Sequence, residues 1–460
     1  MRRARWTYGL ILTMGFAAML ALNWPGHMSV DSVLALHEGR FGLRETWNPA
    51  LFGWLLGVSD RVLPGPSGIM LLNGVLLFGA LGMMALLKHR VSAWASMTAL
   101  VAICLPQLVL FPAIIWKDVM FAAFGLAAFV ILALTVERQR GAGRTVGLIA
   151  TAVALAIAGL LRQHGLILSL SAAVVILWTS WRWGGRRAIH EASLWLAGVL
   201  ALTLLLSSVG RPQGVGAPDS AGVKGLRLLM IYDIVGAAAL EPGRATPDID
   251  AIARPAADYV RAQASRLYSP ERIDVMHDEP RLTPLHLEAT FPSLFAEWRR
   301  LIFNDTALYL RVRAADFGQV FATPTVDRCL PIFVGIDGPR PALKDLAIAP
   351  RHSPRDQRIY NYVTWHLDTP SLSHFSFAVI ALAVAALLLI RRDPADLAIA
   401  GFLIGALTFA AGFFVISLAC DYRYLYVLDI AGLAGALYWS LDPRLTRHSS
   451  SIALSSSVET

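Results

Sequence analysis

The chain has 460 residues, 56% of them hydrophobic and only 16% charged, against roughly 25% charged in soluble domains. That balance excludes an ordinary cytosolic enzyme, a disordered chain and a small disulfide-stapled secreted protein. The net charge of +8 lies in short basic clusters between apolar runs, not in one stripe, so nucleic acid is not expected as a partner.

Apolar runs fall at about 8–24, 67–87, 94–112, 118–136, 146–161, 165–181, 191–209, 374–390, 397–419 and 422–440. A helical span takes roughly 17–25 residues, so the sequence predicts an all-α polytopic membrane protein with about ten transmembrane helices. Residues 2–22 resemble a secretory signal, but no small-x-small cleavage site precedes Asn23, and they read as an uncleaved first span. With the N-terminus cytoplasmic, 15 of the 21 Lys/Arg outside residues 210–373 face the cytoplasm. The expected setting is the inner membrane of a bacterium, with both termini cytoplasmic and membrane lipids as surroundings. The predicted organisation is a transmembrane module over 1–209 with an outer loop at 25–66, a soluble periplasmic insertion over 210–373, a second transmembrane module over 374–441 and a cytoplasmic tail over 442–460.

The insertion lies between the seventh and eighth spans and carries 38 of the 72 charges. Helical patterning at about 255–267, 284–303 and 305–319, with a strand-like stretch at Leu330–Ile336, predicts an α/β or mostly helical unit. Cys329 and Cys420 would both face the oxidising side, where they can pair or stay as two thiols. Asp248-Ile249-Asp250 matches an Asp-x-Asp pattern of sugar-nucleotide enzymes, but nucleotide sugars are cytoplasmic and this segment is read as facing outward. Trp residues at 24, 47, 116, 178, 181 and 183 lie at predicted span ends, as in an aromatic belt, and Trp47 is also placed to line a sugar site.

Ionisable residues beside a span are costly and are functional candidates by default. Here they gather at the predicted outer ends: Asp31 in the first loop, Trp116-Lys117-Asp118, Arg162-Gln163-His164-Gly165, and Asp421-Tyr422-Arg423-Tyr424. A carboxylate can accept a proton or hold a metal, while Lys and Arg can neutralise a phosphate. Asp31 also suits a plain helix start, where the helix dipole favours an anion. His27 and His37 flank it, so a divalent metal is left open. A polar head with a long hydrocarbon tail is the substrate such a border site would suit.

Met28-Ser29-Val30-Asp31-Ser32 and Trp47-Asn48-Pro49-Ala50-Leu51-Phe52-Gly53-Trp54-Leu55-Leu56-Gly57 resemble the first loop, and the Pro-Pro element after it, of the polytopic membrane glycosyltransferases of the GT-C superfamily, in particular the bacterial family 39/83-like and arabinose-transferase-like group. Trp116-Lys117-Asp118-Val119-Met120-Phe121 and Tyr422-Arg423-Tyr424-Leu425-Tyr426 resemble further segments of bacterial members. Ala50 stands for the second proline of that element, and Asn48 where relatives often have His or Lys. The resemblance implies inverting transfer of a sugar from a polyprenyl-phosphate donor to a hydroxyl of a lipid or glycan acceptor on the periplasmic face, without a nucleotide. It implies Asp31 as general base and Lys117, Arg162 and Arg423 as ligands of the lipid phosphate. His27, Trp47, Asn48, Asp118, His164, Asp421 and Tyr424 are further candidate substrate contacts. The competing readings are a transporter or flippase of lipid-linked saccharides and a polysaccharide polymerase or ligase.

Overall fold

The computed structural model describes residues 2–43, 48–138, 141–162, 164–209, 221–322, 329 and 332–445. The first half comprises α1 (Arg2–Asn23), α2 (Val30–Phe41), α3 (Ala50–Val62), α4 (Ser67–Met83), α5 (Ala93–Cys104), α6 (Pro106–Val109), α7 (Lys117–Val136), α8 (Ala142–Leu161), α9 (Leu166–Gly184) and α10 (Arg186–Ser207). Next come α11 (Ala221–Leu240), α12 (Pro247–Leu267), the single turn α13 (Asp274–His277), α14 (Phe291–Asn304), α15 (Thr306–Phe321), α16 (Arg340–Leu346) and α17 (Pro354–Thr364). The chain then re-enters the bundle as α18 (His374–Arg391), α19 (Pro394–Ile416) and α20 (Tyr426–Leu441).

Among the described residues, eight helices are long and apolar enough to cross a membrane, which makes this a multi-pass membrane protein. In a lipid interior every backbone polar group must be satisfied within the helix, so such runs can take no other form. Two of the ten apolar runs do not form a single long helix. The run at 94–112 breaks into α5 and a second piece, Pro106–Ala113, at an angle of 72°. Pro106 has no N–H to continue the ladder, and it forces Leu105 into an extended conformation. The run at 165–181 gives α9, a shorter apolar stretch than the other spans. The outward faces of α1 and α10 expose Leu10, Met14, Leu194, Leu204 and Leu205, as lipid contact requires.

Segment 221–373 is helical, with no strand among the described residues. The strand-like stretch near Ile336 survives only as isolated bridges, in which Ile336 pairs with Met28 and with Arg351. His27 in turn pairs with Ile114, so the first loop is laced between the end of the bent run and the segment around Ile336. Cys329 and Cys420 are joined in a disulfide. The expected helices at 255–267 and 305–319 appear as α12 and α15, while 284–303 divides into 3₁₀ turns and α14. The α11 helix was not foreseen.

Two local devices seat the first loop. The α2 and α3 helices cross so closely that a Cβ on Gly39 would lie 1.8 Å from the Gly53 carbonyl oxygen, a contact only glycine allows. The first turn of α2 is tied to the segment before α7: Ser32 Oγ donates to the Ile115 carbonyl at 2.5 Å, and Trp116 Nε1 donates to Ser29 Oγ at 2.9 Å. At the opposite end of the bundle, Lys88 donates to Asp396 at 2.6 Å, and Arg391 and Tyr438 complete that buried pair.

A candidate active site at one end of the bundle

Four helix ends meet where α2, α7 and α20 begin and α8 gives way to α9. Asp31 lies in the first turn of α2, and Lys117 and Asp118 open α7. Arg162 follows α8, while Asp421 and Arg423 occupy the short link between α19 and α20. Because the loops are short, positions almost 400 residues apart in the chain come within hydrogen-bond reach.

Arg423 is the hub. Its Nη2 donates to Asp31 Oδ2 at 2.5 Å, its Nε lies 2.7 Å from Asp421 Oδ2, and Asp118 Oδ2 lies 3.8 Å away. Asp118 is paired on its other side with Arg162. Lys117 Nζ donates to Asn48 Oδ1 at 3.4 Å, and Asn48 Nδ2 donates to the Asp31 carbonyl at 3.2 Å. Three carboxylates therefore share space with three cations. The Arg423 guanidinium sits 4.9 Å over the Trp116 ring, and that of Arg162 sits 4.8 Å over Tyr424.

A cavity of about 320 Å³ adjoins this cluster. Lys117, Arg162, His164 and Tyr424 line it on the bundle side, and Gly225 and Leu229 of α11 roof it. Arg162 Nε is buried without a hydrogen-bond partner among the described residues, as is His164 Nε2. Such a buried donor calls for an acceptor. The His164 ring stacks on Phe409 at 4.0 Å; burial, and then Arg162, push it down to about 3, so it is a neutral ring.

Electrostatics sort the carboxylates outside the spans. Burial pushes Asp31 upward, but Arg423, with Lys117 and Arg162 behind it, outweighs burial and holds the carboxyl below its usual range. At Asp421 burial wins over Arg423, with Asp118 and Asp31 adding to it, and the carboxyl is pushed up to about 6. The side chain of Asp31 is 46% exposed, whereas that of Asp421 is 9% exposed, which gives Asp31 alone an open face toward solvent.

Asp31, Asn48, Lys117, Asp118, Arg162, His164, Asp421, Arg423 and Tyr424 are thus brought together. Trp47 lies outside the described residues. His27 is elsewhere: its Nδ1 accepts from the Gly335 N–H at 3.0 Å, its Nε2 meets Asn23 Oδ1 at 2.9 Å, and Arg351 stands at 3.0 Å from Nδ1. Burial first, then Arg351, push it down to about 3, so it is a neutral latch between the first loop and segment 221–373. His37 pairs with Asp345 at 3.2 Å. Asp248 and Asp250 are taken up by Arg300 and Arg261, both at 2.8 Å. The described residues hold no group of three or more His, Cys, Asp or Glu placed to bind a metal. Around Asp31 the nearest charges are cations, a donor set that does not fit a divalent ion. Sequence reasoning placed Trp116 in an aromatic belt and missed that its ring carries Arg423 while its N–H fixes Ser29. Its position next to Lys117 was the only signal.

The fold and site together define an all-helical, multi-pass membrane protein with a charge-balanced pocket at one end of its bundle. No family model and no curated protein sequence matches the chain. Among solved structures it is similar to the oligosaccharyltransferase AglB from Archaeoglobus fulgidus in complex with an inhibitory peptide and a dolichol-phosphate, at 14% identity over 94% of this chain and 50% of that one, with a TM-score of 0.39. A second structure of the Archaeoglobus fulgidus oligosaccharyltransferase, with Zn and sulfate, matches at 14% identity over 94% and 48%, with a TM-score of 0.40. ArnT from Cupriavidus metallidurans bound to undecaprenyl phosphate matches at 15% identity over 93% and 77%, with a TM-score of 0.37. The chain spans about half the length of the oligosaccharyltransferase.

Proposed function

We propose that the protein is a membrane glycosyltransferase of the GT-C kind. It moves a sugar from a polyprenyl-phosphate donor to a hydroxyl of a lipid or glycan acceptor on the periplasmic face of a bacterial inner membrane, with both termini cytoplasmic. The observation that carries this reading is the meeting of Asp31 with Arg423 beside a cavity lined by Lys117 and Arg162. A general base, three cations and a hollow at the end of membrane helices are the parts such a transfer needs.

In this reading Lys117 and Arg162 hold the donor phosphate, and the buried Arg162 Nε gains its acceptor. The hydrocarbon tail lies in an apolar groove of about 290 Å³ between α9 and α19, lined by Leu170, Val174, Trp178, Ile404 and Gly405. His164 lines the cavity and Ile167 the groove, and an added Cβ on Gly412 would meet both, at 3.6 Å and 3.9 Å. Asp31 takes the proton of the acceptor hydroxyl as that oxygen bonds to the anomeric carbon. The bond from that carbon to the phosphate oxygen breaks, and its electron pair leaves with the phosphate, where Lys117, Arg162 and Arg423 meet the growing charge. One displacement inverts the anomeric centre. A carboxyl held as low as Asp31 is a weak base, so proton transfer accompanies bond formation instead of preceding it.

The test is a deletion strain whose lipid-linked saccharides and envelope glycans are profiled by mass spectrometry. A lipid-linked sugar should accumulate and one envelope glycan should lose a sugar, with wild-type protein restoring both and Asp31→Asn restoring neither at equal abundance. Unchanged profiles, or full rescue by Asp31→Asn, would remove the proposed reaction.

A further inference from the structure

The link from α19 to α20 carries Asp421, Arg423 and Tyr424, and the extramembrane segment grips it at several points. Arg313 of α15 is fully buried. Its Nη1 donates to the Ser417 carbonyl at 2.8 Å and to the Val415 carbonyl at 3.1 Å, two acceptors that the end of α19 leaves without helical partners. A cation at that end also complements the helix dipole. Arg313 is itself held by Asp233 of α11, whose Oδ2 accepts from Trp298 Nε1 at 2.7 Å. Asp316, one turn along α15, accepts from the Ser417 hydroxyl and from the Tyr232 hydroxyl, the latter at 3.2 Å. Further on, the Cys420 N–H donates to the Glu271 carbonyl at 3.1 Å, and Cys420 is bonded to Cys329. On the bundle side, Tyr422 donates to Asp429 at 2.8 Å.

A buried arginine with two aspartates is an expensive way to fill space, since well-packed apolar residues would hold the segments together as firmly. What the ions add is direction: two carbonyls and one hydroxyl of a single three-residue stretch, Val415–Ser417, are fixed in orientation. That stretch leads directly into Asp421 and Arg423, and Ser417 itself borders the cavity lined by Lys117 and Arg162. We infer that Arg313, together with Asp316 acting through the Ser417 hydroxyl, is a positioning pair for the transfer reaction, holding the α19–α20 link so that Arg423 meets Asp31 and Tyr424 stays beneath Arg162. Arg313 and Asp316 thereby act on the chemistry without themselves lining the cavity. This inference rests on the transferase reading.

The experiment compares full-length wild type, Arg313→Lys, Ser417→Ala and Ser417→Thr in detergent. Three quantities are read: hydrogen exchange over residues 417–424, affinity for undecaprenyl phosphate as probe, and turnover per folded molecule. Arg313→Lys keeps the charge but loses the fork that joins the two carbonyls, through Nη1, to Asp233, through Nη2; Ser417→Ala removes one hydroxyl and leaves Arg313 in place; Ser417→Thr restores it. Both disruptive variants should speed exchange over 417–424 and lower turnover roughly tenfold to a hundredfold, the scale expected from a small misplacement of reacting groups. Probe affinity should change less than about threefold, because Lys117 and Arg162 stand on other helices, and Ser417→Thr should recover turnover. Unchanged exchange and turnover in Ser417→Ala would overturn the inference. So would losses of binding and turnover in equal proportion, the mark of a structural defect alone. A wild type that neither binds the probe nor transfers sugar would overturn the transferase reading instead, while the exchange data would still decide whether Arg313 and Ser417 hold the link.

Discussion

In the proposed transfer Asp31 is the residue on which the chemistry turns, and its carboxylate is kept ionised by Arg423 (2.5 Å), not by the helix start alone. Activity should therefore persist at pH values below the ordinary carboxylate range and fall only in stronger acid. Arg423→Gln should move that acid limb upward and lower turnover on the order of a hundredfold, as loss of a charge-stabilising donor does. A pH profile of both proteins checks the direction, and an unmoved limb would separate Arg423 from Asp31 function. Lys117→Ala and Arg162→Ala should weaken undecaprenyl phosphate binding with little effect on acceptor affinity; equal loss for both substrates would argue against phosphate recognition. Trp116→Phe keeps a ring under Arg423 but loses the 2.9 Å hydrogen bond to Ser29. One such bond contributes about 1 kcal/mol, so turnover should fall about fivefold with the protein still folded.

Among the elements, the crossing of α2 and α3 decides whether Asp31 is in place. Gly39→Ala would drive a methyl group against the Gly53 carbonyl, and backbone cannot yield as a flexible side chain does. Overpacking of this kind costs about 1–3 kcal/mol, so the variant should melt earlier and lose transfer, while Gly42→Ala nearby, where a Cβ meets nothing, should show far less steric effect. The positive φ of Gly42 adds a smaller conformational cost of its own. The bend at Pro106 has the same kind of consequence. It shortens the membrane path of that run and leaves Phe111–Trp116 free to pair with His27 and to present Trp116 to Arg423.

For the molecule as a whole, the buried Asp233–Arg313–Asp316 group makes the stability of segment 221–322 depend on pH. Burial, against the pull of Arg313, pushes Asp233 up to about 7 from an ordinary value of 3.8. Between those values the folded state holds a proton that the unfolded state has released. Its contribution is therefore complete below the unfolded value and is lost as pH rises toward 7. The melting temperature of Asp233→Asn relative to wild type should climb across that window, and a constant difference would show that Asp233 does not titrate there. Separately, the Cys329–Cys420 bond closes a sequence separation of 91 residues. Removing it with Cys329→Ser and Cys420→Ser should cost about 2–5 kcal/mol, read as a lower melting temperature in detergent.

By itself, the sequence was enough to mark this chain as a multi-pass helical membrane protein, because apolar runs in lipid admit only helices and the scarcity of charge outside 210–373 is a matter of composition. It also marked Asp31, Lys117, Arg162 and Arg423, since an ion beside lipid stands out in any such run. Which of them touch, it could not say. The pairing of Arg423 with Asp31 and Asp421, the withdrawal of His27 into a latch, the role of Trp116 and the grip of Arg313 on Ser417 all depend on segments tens to hundreds of residues apart. Local periodicity carries no record of such contacts. They were decided by the tertiary structure, where short loops bring helix ends to one level and where buried charges, unable to find water, must find one another.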